Sequence, residues 1–414
     1  MCETLEKRLR VYENPHIPSS KHVIREVKVK PPPKKRGAPN GHKGATRKKP
    51  EPSNIVELKP KSCTNCNGED FKIIRERKKT VENIKIIKTA TEFHFYDCHC
   101  NLCNTDFTTK DSELPVSGNF GPDISALWTM AYYKGTVPFE RLSEVSENCL
   151  DTGITMGGLH NVVYRNARIF KLQYEQIFKN VRKSKNAKSD ETGISFNGKT
   201  YWLWNISSGN DTLVLIRNSR GSKVLEEVFG KFFDGVLSSD CFSAYGKFNA
   251  REYQKCWAHI LRDGKDLAKH CMEGKELCKE LLKMYAYIKN AKEKKLEKSQ
   301  NVKRWVSRKK QLICSWIEKN YKSKAVKNLA LRLIKYKNDW FTCLKYRDVE
   351  PTNNSSERDI RKNVISRKIS GSHRSELGMQ SREIMMSVIL TAEKKGQNPF
   401  ELVLNSIRNH NLGL

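Results

Sequence analysis

The sequence has no run of about 18 apolar residues able to span a bilayer, and no apolar core of the signal-peptide kind near its N-terminus. No membrane role is expected, and the expected location is intracellular. Acid is in short supply. Against 77 Lys and Arg there are 46 Asp and Glu, a formal net charge of +31, far more than solubility requires, so a polyanionic partner is implied and nucleic acid leads. Proline is missing from Met272 to Tyr346, which leaves that stretch free to be helical. What is abundant is cysteine, 13 residues; a disulfide framework is not expected in a reducing compartment, so spacing matters more than number. At 414 residues the chain has room for two or three domains and a sizeable core.

Residues 1–60 are rich in Pro, Gly and Lys without helical or strand period, and read as a largely disordered basic segment. Between Lys21 and Lys49, eleven Lys or Arg stand with one acid, Glu26. That run, which includes Lys34, Lys35 and Arg36, can lie along phosphates and release counterions, or remain a solvated tail. Residues 61–110 carry "CTNC", a strand-like "ENIKIIKTATEFHFY" and "CHCNLC". Cys63 with Cys66, and Cys100 with Cys103, form two C-x-x-C knuckles able to hold one zinc, the pattern of a zinc ribbon, with Cys98 and His99 as spare ligands. Redox use of a C-x-x-C pair is the alternative. Cys2, Cys149, Cys241, Cys256, Cys271, Cys278, Cys314 and Cys343 are scattered and read as small buried hydrophobes. Residues 111–185 read as helical. "PFERLSEVSENC" and "TMGGLHNVVYRNARIFKLQYEQIF", joined through "LDTGI", outline a helix-turn-helix, either a DNA-binding element or a helical hairpin that merely packs.

Residues 186–414 read as an α/β domain. "KSDETGISF", "GKTYWLWNISS" and "TLVLIRNS" give three strands in a meander, then come a helix, "GSKVLEEVFGKFF", and a fourth strand, "GVLSSDCFSAYG". Asp190 lies on the first strand and Asp240 at the end of the fourth, where a mixed sheet can set them side by side. Two acids that close repel unless a divalent cation lies between them, and hard oxygen ligands suit magnesium or manganese. Glu357 is the candidate third ligand, completing a two-metal site for in-line displacement at a phosphodiester. Asp240 follows Asp190 by 50 residues and Glu357 follows Asp240 by 117, room for an all-helical insertion at about 270–348. From Lys279 to Lys310, twelve Lys or Arg stand with three Glu, either an arm that clamps a phosphate backbone or a solvated face. In "VEPTNNSSERDIRK" the Asn/Ser cluster is expected to cap a helix starting near Ser355 or Ser356. Glu357 then serves the metal while Arg358, Arg361 and Lys362 serve DNA phosphates. Glu191 is expected to face away from Asp190.

The blocks "SDETGISFNGKTYWLWNISS", "LSSDCFSAYGKF", "KCWAHILRD" and "NNSSERDIRKNVISRKISGSHRSELG", preceded by "KKRGAPNGHKG", resemble in order those of transposases of the insertion sequence 66 family, over nearly the whole chain. The resemblance implies a DDE transposase with a ribonuclease-H-like mixed-sheet catalytic core, the helical insertion within it, preceded by the zinc ribbon and the helical DNA-binding region. Asp190, Asp240 and Glu357 match the catalytic acids. Cys256 and His259 match a C-W-A-H block, with a structural or DNA-positioning role near the site, and Arg367 and Lys368 match a basic pair that contacts phosphate. The implied reaction cleaves the ends of an insertion sequence and joins the freed 3′-OH ends to target DNA. The implied cofactors are two Mg2+ or Mn2+ per active site, beside one structural Zn2+. The partners implied are DNA, a further copy of the chain to make at least a dimer on paired ends, and accessory proteins from the same element; the location is cytoplasmic, on the nucleoid. A catalytically inactive, domesticated DNA-binding derivative is the alternative, and a structure-selective nuclease with the same core is a third reading. One departure is that the N-terminal helical segment usual in the family is shortened here to roughly the first dozen residues.

Overall fold

The structure, a computed structural model, describes residues 50–414 apart from Cys63, Lys298 and Ser372. The basic run containing Lys34, Lys35 and Arg36 lies outside the described residues. The chain divides into two units, residues 24–91 and the rest. In the first, residues 50–91 carry no helix or strand among the described positions, and nearly all their side chains are exposed. The strand expected over residues 82–96 is not formed among the described residues: Ile84, Ile86 and Ile87 face solvent, and only Tyr96, at its end, exchanges hydrogen bonds with Thr109, short of the pairing that extended chain needs.

The second unit begins with a hairpin of β1 (Asp97–Cys100) and β2 (Thr105–Thr108), in which Cys100 pairs with Thr105. Four helices follow: α1 (Pro122–Tyr133), α2 (Phe139–Leu150), α3 (Met156–Ile169) and α4 (Lys171–Arg182). Proline at the first position of α1 has no N–H to leave unpaired there, and the Thr155 hydroxyl caps α3 by accepting from the Gly158 N–H. Then come β3 (Asn186–Phe196), β4 (Lys199–Ser208), β5 (Asp211–Arg217), α5 (Lys223–Phe229), β6 (Phe232–Ser239), α6 (Ser243–Lys247) and β7 (Asn249–Lys255). These strands form one mixed sheet in the order β5-β4-β3-β6-β7. The meander β3-β4-β5 is antiparallel; β6 and β7 join β3 in parallel across helical connections.

The buried runs in β4 and β5 mark strands covered on both faces. Their core is shared with all four preceding helices: Trp128, Leu142, Leu159 and Val181 pack in the same cluster as Leu203, Leu215 and Met386, each fully buried Leu or Val contributing roughly 1.5–3 kcal/mol. The helix-turn-helix candidate is thus joined to the sheet. In α3, Leu159, Val162, Val163, Asn166 and Ala167 are buried, while Met156, His160, Asn161 and Arg168 are exposed.

After β7 the chain builds a second apolar cluster from α7 (Trp257–Leu267), α8 (Met272–Glu293), α9 (Gln300–Ser315), α10 (Lys324–Lys335) and a short 3-10 turn, Thr342–Leu344. Trp257 and Trp340 sit at its centre, the Trp257 indole donating to the Trp340 carbonyl at 2.6 Å. The proline-free stretch is broken into separate helices because a single long rod could not close an apolar cluster on itself. The chain returns in α11 (Asn354–Ser370), α12 (Glu376–Lys394) and α13 (Pro399–Leu412).

Helix α12 closes the β5 edge. The amides of Thr212, Val214 and Ile216 donate to Thr391 Oγ1, Ser387 Oγ and Glu383 Oε1 at 3.0, 2.8 and 2.7 Å. Four residues of helix advance about 6 Å and two of strand about 6.8 Å, so acceptors at every fourth helical position keep step with every second strand amide. An exposed edge is thereby covered. No helix among the described residues is long and apolar enough to cross a membrane.

Candidate active site and metal centres

In the parallel pairing of β3 and β6, Lys188 is the partner of Ser238; two residues further along, Asp190 comes level with Asp240, the first residue beyond β6. Asp190 is half-buried, and its carboxyl is pushed well above the usual range by loss of solvent and then by the negative charges of Glu191, Asp240 and Glu357. The Glu191 amide works the other way, donating to Asp190 Oδ1 at 3.0 Å. Asn205, the partner of Asp190 in the β3/β4 ladder, leaves its buried Oδ1 without a hydrogen-bond donor. The carboxylates whose charges bear on Asp190, with the spare Asn205 oxygen on the same face, make a donor set that fits hard divalent ions.

Glu357 reaches the sheet from the first turn of α11. The helix begins at Asn354, and Asn353 before it makes no side-chain cap. The Asn/Ser cluster has a different use: its side chains stitch the helix to the strands that bear the acids. Asn353 Nδ2 donates to the Ser189 carbonyl at 2.9 Å, Asn205 Nδ2 to Ser356 Oγ at 2.9 Å, and Lys188 Nζ to Ser355 Oγ at 3.0 Å. Capping lost because those groups are committed to the sheet. Glu357 itself lies 3.8 Å from Cys256 Sγ, 3.5 Å from His259 Nδ1 and 4.0 Å from Arg262. Among the described residues, Cys256, His259 and Glu357 are the one set of three whose ligand atoms all lie within 4.8 Å of one another; the three acids do not close to that distance.

Two supports of the site carry weak sequence signals. Glu191, expected to face away from Asp190, is buried and takes two hydrogen bonds from Arg220 at 2.9 and 2.8 Å and one from the Tyr245 hydroxyl. Burial, then Asp240, raises its carboxyl to about 6, against the pull of Tyr245 and Arg220. Arg220 is sandwiched between Trp202 and Phe242, its guanidinium carbon 4.5 and 3.8 Å from the ring centroids, so it ties Glu191 to the turn after Asp240. Lys255 is buried, and Nζ donates to Ser239 Oγ and to the Asp240 carbonyl, both at 3.0 Å; burial lowers its pKa. A lone Arg among turn residues, and a Lys inside "YQKCW", look like ordinary surface charge. Asn205 was the more legible signal, a polar residue inside the apolar run "WLWNIS".

The basic residues divide. Arg358, Arg361 and Lys368 are exposed. Lys362 is ion-paired with Glu393, and Arg367 donates to Thr192 Oγ1 and the Gly193 carbonyl, so its guanidinium serves β3. At the hairpin, the backbone amides of Cys103 and Leu102 hold the Cys100 thiol below its usual range, the hydrogen bonding a thiolate ligand needs. His99 is engaged elsewhere, Nδ1 with Asp106 at 2.6 Å and Nε2 with Asn104 at 3.1 Å. Cys66 belongs to the unit of residues 24–91 and Cys100 and Cys103 to the other, while Cys63 lies outside the described residues. Of the cysteines read as buried hydrophobes, Cys256, Cys278 and Cys343 are buried, whereas Cys149 is exposed.

The model of the family described as Transposase IS66 family matches residues 117–381, a span that takes in Asp190, Asp240, Cys256, His259 and Glu357. None of the curated proteins matches the chain.

Proposed function

The chain belongs to the IS66 family of transposases, and we propose that it is an enzyme that cuts DNA at the ends of an insertion sequence and joins those ends to target DNA. The observation that carries this is the placing of Asp190 level with Asp240 on the parallel β3/β6 pairing, where loss of solvent and then the charges of Glu191, Asp240 and Glu357 raise the Asp190 carboxyl. The strand order, three antiparallel strands followed by two parallel ones, supports a ribonuclease-H-like core. Asp190 and Asp240 are fixed on neighbouring strands and Glu357 is delivered by a helix stitched to both β3 and β4, so the three acids would hold two Mg2+ or Mn2+. Those ions, when bound, supply charge neutralisation and polarisation at the phosphodiester.

In the first step a water oxygen bonds to phosphorus and the bond from phosphorus to the 3′ oxygen breaks, leaving a free 3′-OH. In the second, that 3′ oxygen bonds to a target phosphorus and the target's own 3′ oxygen leaves. Arg358, Arg361 and Lys368, exposed along α11, would contact phosphates, whereas Arg367 and Lys255 position the acid-bearing strands. Cys63, Cys66, Cys100 and Cys103 would hold a structural zinc. Two ends must be paired, so the working form is at least a dimer.

The test is Mg2+- or Mn2+-dependent cleavage and joining of labelled DNA carrying the gene's flanking sequence, comparing the native chain with Glu357→Gln. The native chain should nick and join; the variant should bind DNA but lose at least about a thousandfold in rate, as loss of a group acting on the developing charge does. If both bind DNA and neither reacts, the chain is a DNA-binding derivative of such an enzyme.

A further inference from the structure

We propose that Cys256, His259 and Glu357 form a second, transition-metal site that shares Glu357 with the acid site, so that zinc bound there withdraws the carboxylate and inhibits the enzyme. The inhibitory half rests on the reading of Glu357 given above; the binding half does not.

The ligand set is of the zinc type: one thiol, one imidazole and one carboxylate. Two of the three edges are already short, 3.8 Å from Cys256 Sγ to Glu357 Oε1 and 3.5 Å from His259 Nδ1 to the same oxygen. A tetrahedral zinc with bonds of about 2.0–2.3 Å sets its ligands roughly 3.3–3.8 Å apart, so small side-chain rotations suffice. His259 Nδ1 is buried and has no hydrogen-bond partner, a ring nitrogen left facing Glu357 at 3.5 Å rather than committed elsewhere. Cys256 is the residue before α7. Its sulfur accepts the Asn353 amide at 3.1 Å, a donor already placed to support a metal-bound sulfur; a metal binding there replaces the thiol proton and releases it to solvent.

The spacing follows from local structure. Cys256 and His259 sit three apart at the start of a helix, on one face, and the Asn353 contact that supports the sulfur also fixes the N-terminus of α11, where Glu357 follows four residues later. Glu357 can face either Asp190 and Asp240 or Cys256 and His259, and its short contacts here are with the second pair and with Arg262. Three protein ligands leave the fourth position open. Hard magnesium gains little from sulfur, so the two sites prefer different ions and compete for one carboxylate.

The experiment is titration of the full metal-stripped chain with Co2+, following the thiolate-to-cobalt absorption and counting equivalents. The native chain should bind one equivalent more than Cys256→Ser and than His259→Asn, the latter keeping an intact thiol and guarding against a misfolded Cys256 variant. Glu357→Gln should weaken that equivalent at least about tenfold. Equal counts in the native chain and both variants overturn the site; an unchanged affinity in Glu357→Gln overturns the shared ligand. In the cleavage assay, micromolar Zn2+ over millimolar Mg2+ should slow the native chain at least tenfold and slow His259→Asn less, each against its own zinc-free rate. Zinc that binds without slowing cleavage overturns the inhibition. A chain that never cleaves, yet counts the extra cobalt, sinks the proposed function while leaving the site standing.

Discussion

Asp190 sits on β3 and Asp240 just beyond β6, in a sheet whose β4, β5 and β6 carry long buried runs, whereas Cys100 and Cys103 sit on a hairpin of two four-residue strands whose side chains are mostly exposed. Around the acids, position is fixed before any ion arrives: β4, β6, α11 and Lys255 all hold them by hydrogen bonds or backbone pairing. At the hairpin, Leu102, Phe107, Phe95 and Tyr96 face solvent, so no apolar burial offsets the entropy of ordering it. One centre is made by the fold and costs it stability, because like charges are held together. The other, on the zinc reading, makes its own local fold.

Metal removal sets these two apart most sharply. Structural zinc contributes an apparent 10–16 kcal/mol or so to small domains that lack a core, so a chelator should unfold residues 61–110 while the sheet domain keeps its cooperative melt. Limited proteolysis with mapping of cut sites reads this directly: new cuts confined to 61–110 are expected. Unchanged cutting and an unchanged circular dichroism spectrum after complete zinc removal would mean that the knuckles order nothing.

The acid site responds in the opposite sense. Asp190 titrates higher in the folded chain than in the unfolded one, and Glu191 moves from 4.5 to about 6. The folded state therefore binds more protons in that window, and these groups lower stability as pH rises through it. Without divalent ions, Asp190→Asn should melt several degrees higher than the native chain at pH 7.5, at about 2–4 °C per kcal/mol for a domain of this size. At pH 4 the gain should shrink, and saturating Mg2+ should shrink it at pH 7.5 as well. A variant that melts lower under all three conditions would mean that Asp190 is held by a partner rather than repelled.

The legibility of the two regions differs for related reasons. The meander strands and the fourth strand, the placement of Asp190 and Asp240, and the helical insertion were readable because each rests on local pattern: "TLVLIRNS" has the β-branched run of a buried strand, and the stretch from Met272 lacks proline; β7 (Asn249–Lys255) and the β1/β2 hairpin were not foreseen. The strand expected at 82–96 was not, because "ENIKIIKTATEFHFY" has strand composition but pairing depends on a neighbour that composition does not reveal. The Asn/Ser cluster before Glu357 misled in the same way. Its residues suit a cap, yet the hydrogen bonds that decide their role go to Ser189 and Asn205, more than 140 residues away in sequence. Arg220 and Lys255 were invisible, since a buried cation and a surface one look alike until the aromatic rings around them are placed.

The smallest effect expected comes from the β5 edge, where nothing charged is at stake. Ser387→Ala removes the acceptor of the Val214 amide, which is fully buried, and a buried donor left unpaired costs about 1–3 kcal/mol. Thr391→Val does the same to Thr212. Each helix acceptor serves its own strand amide, so the two losses should add to within about 0.5 kcal/mol in urea unfolding, and neither should move the cobalt count. A coupling well above that value would mean that α12 leaves the edge as a unit, with Glu383 and Ile216 following once the other two contacts are gone. The sheet's stability would then rest on the whole helix seating at once, and the contrast with the hairpin would lie in how many contacts must form together, beyond the presence or absence of a core.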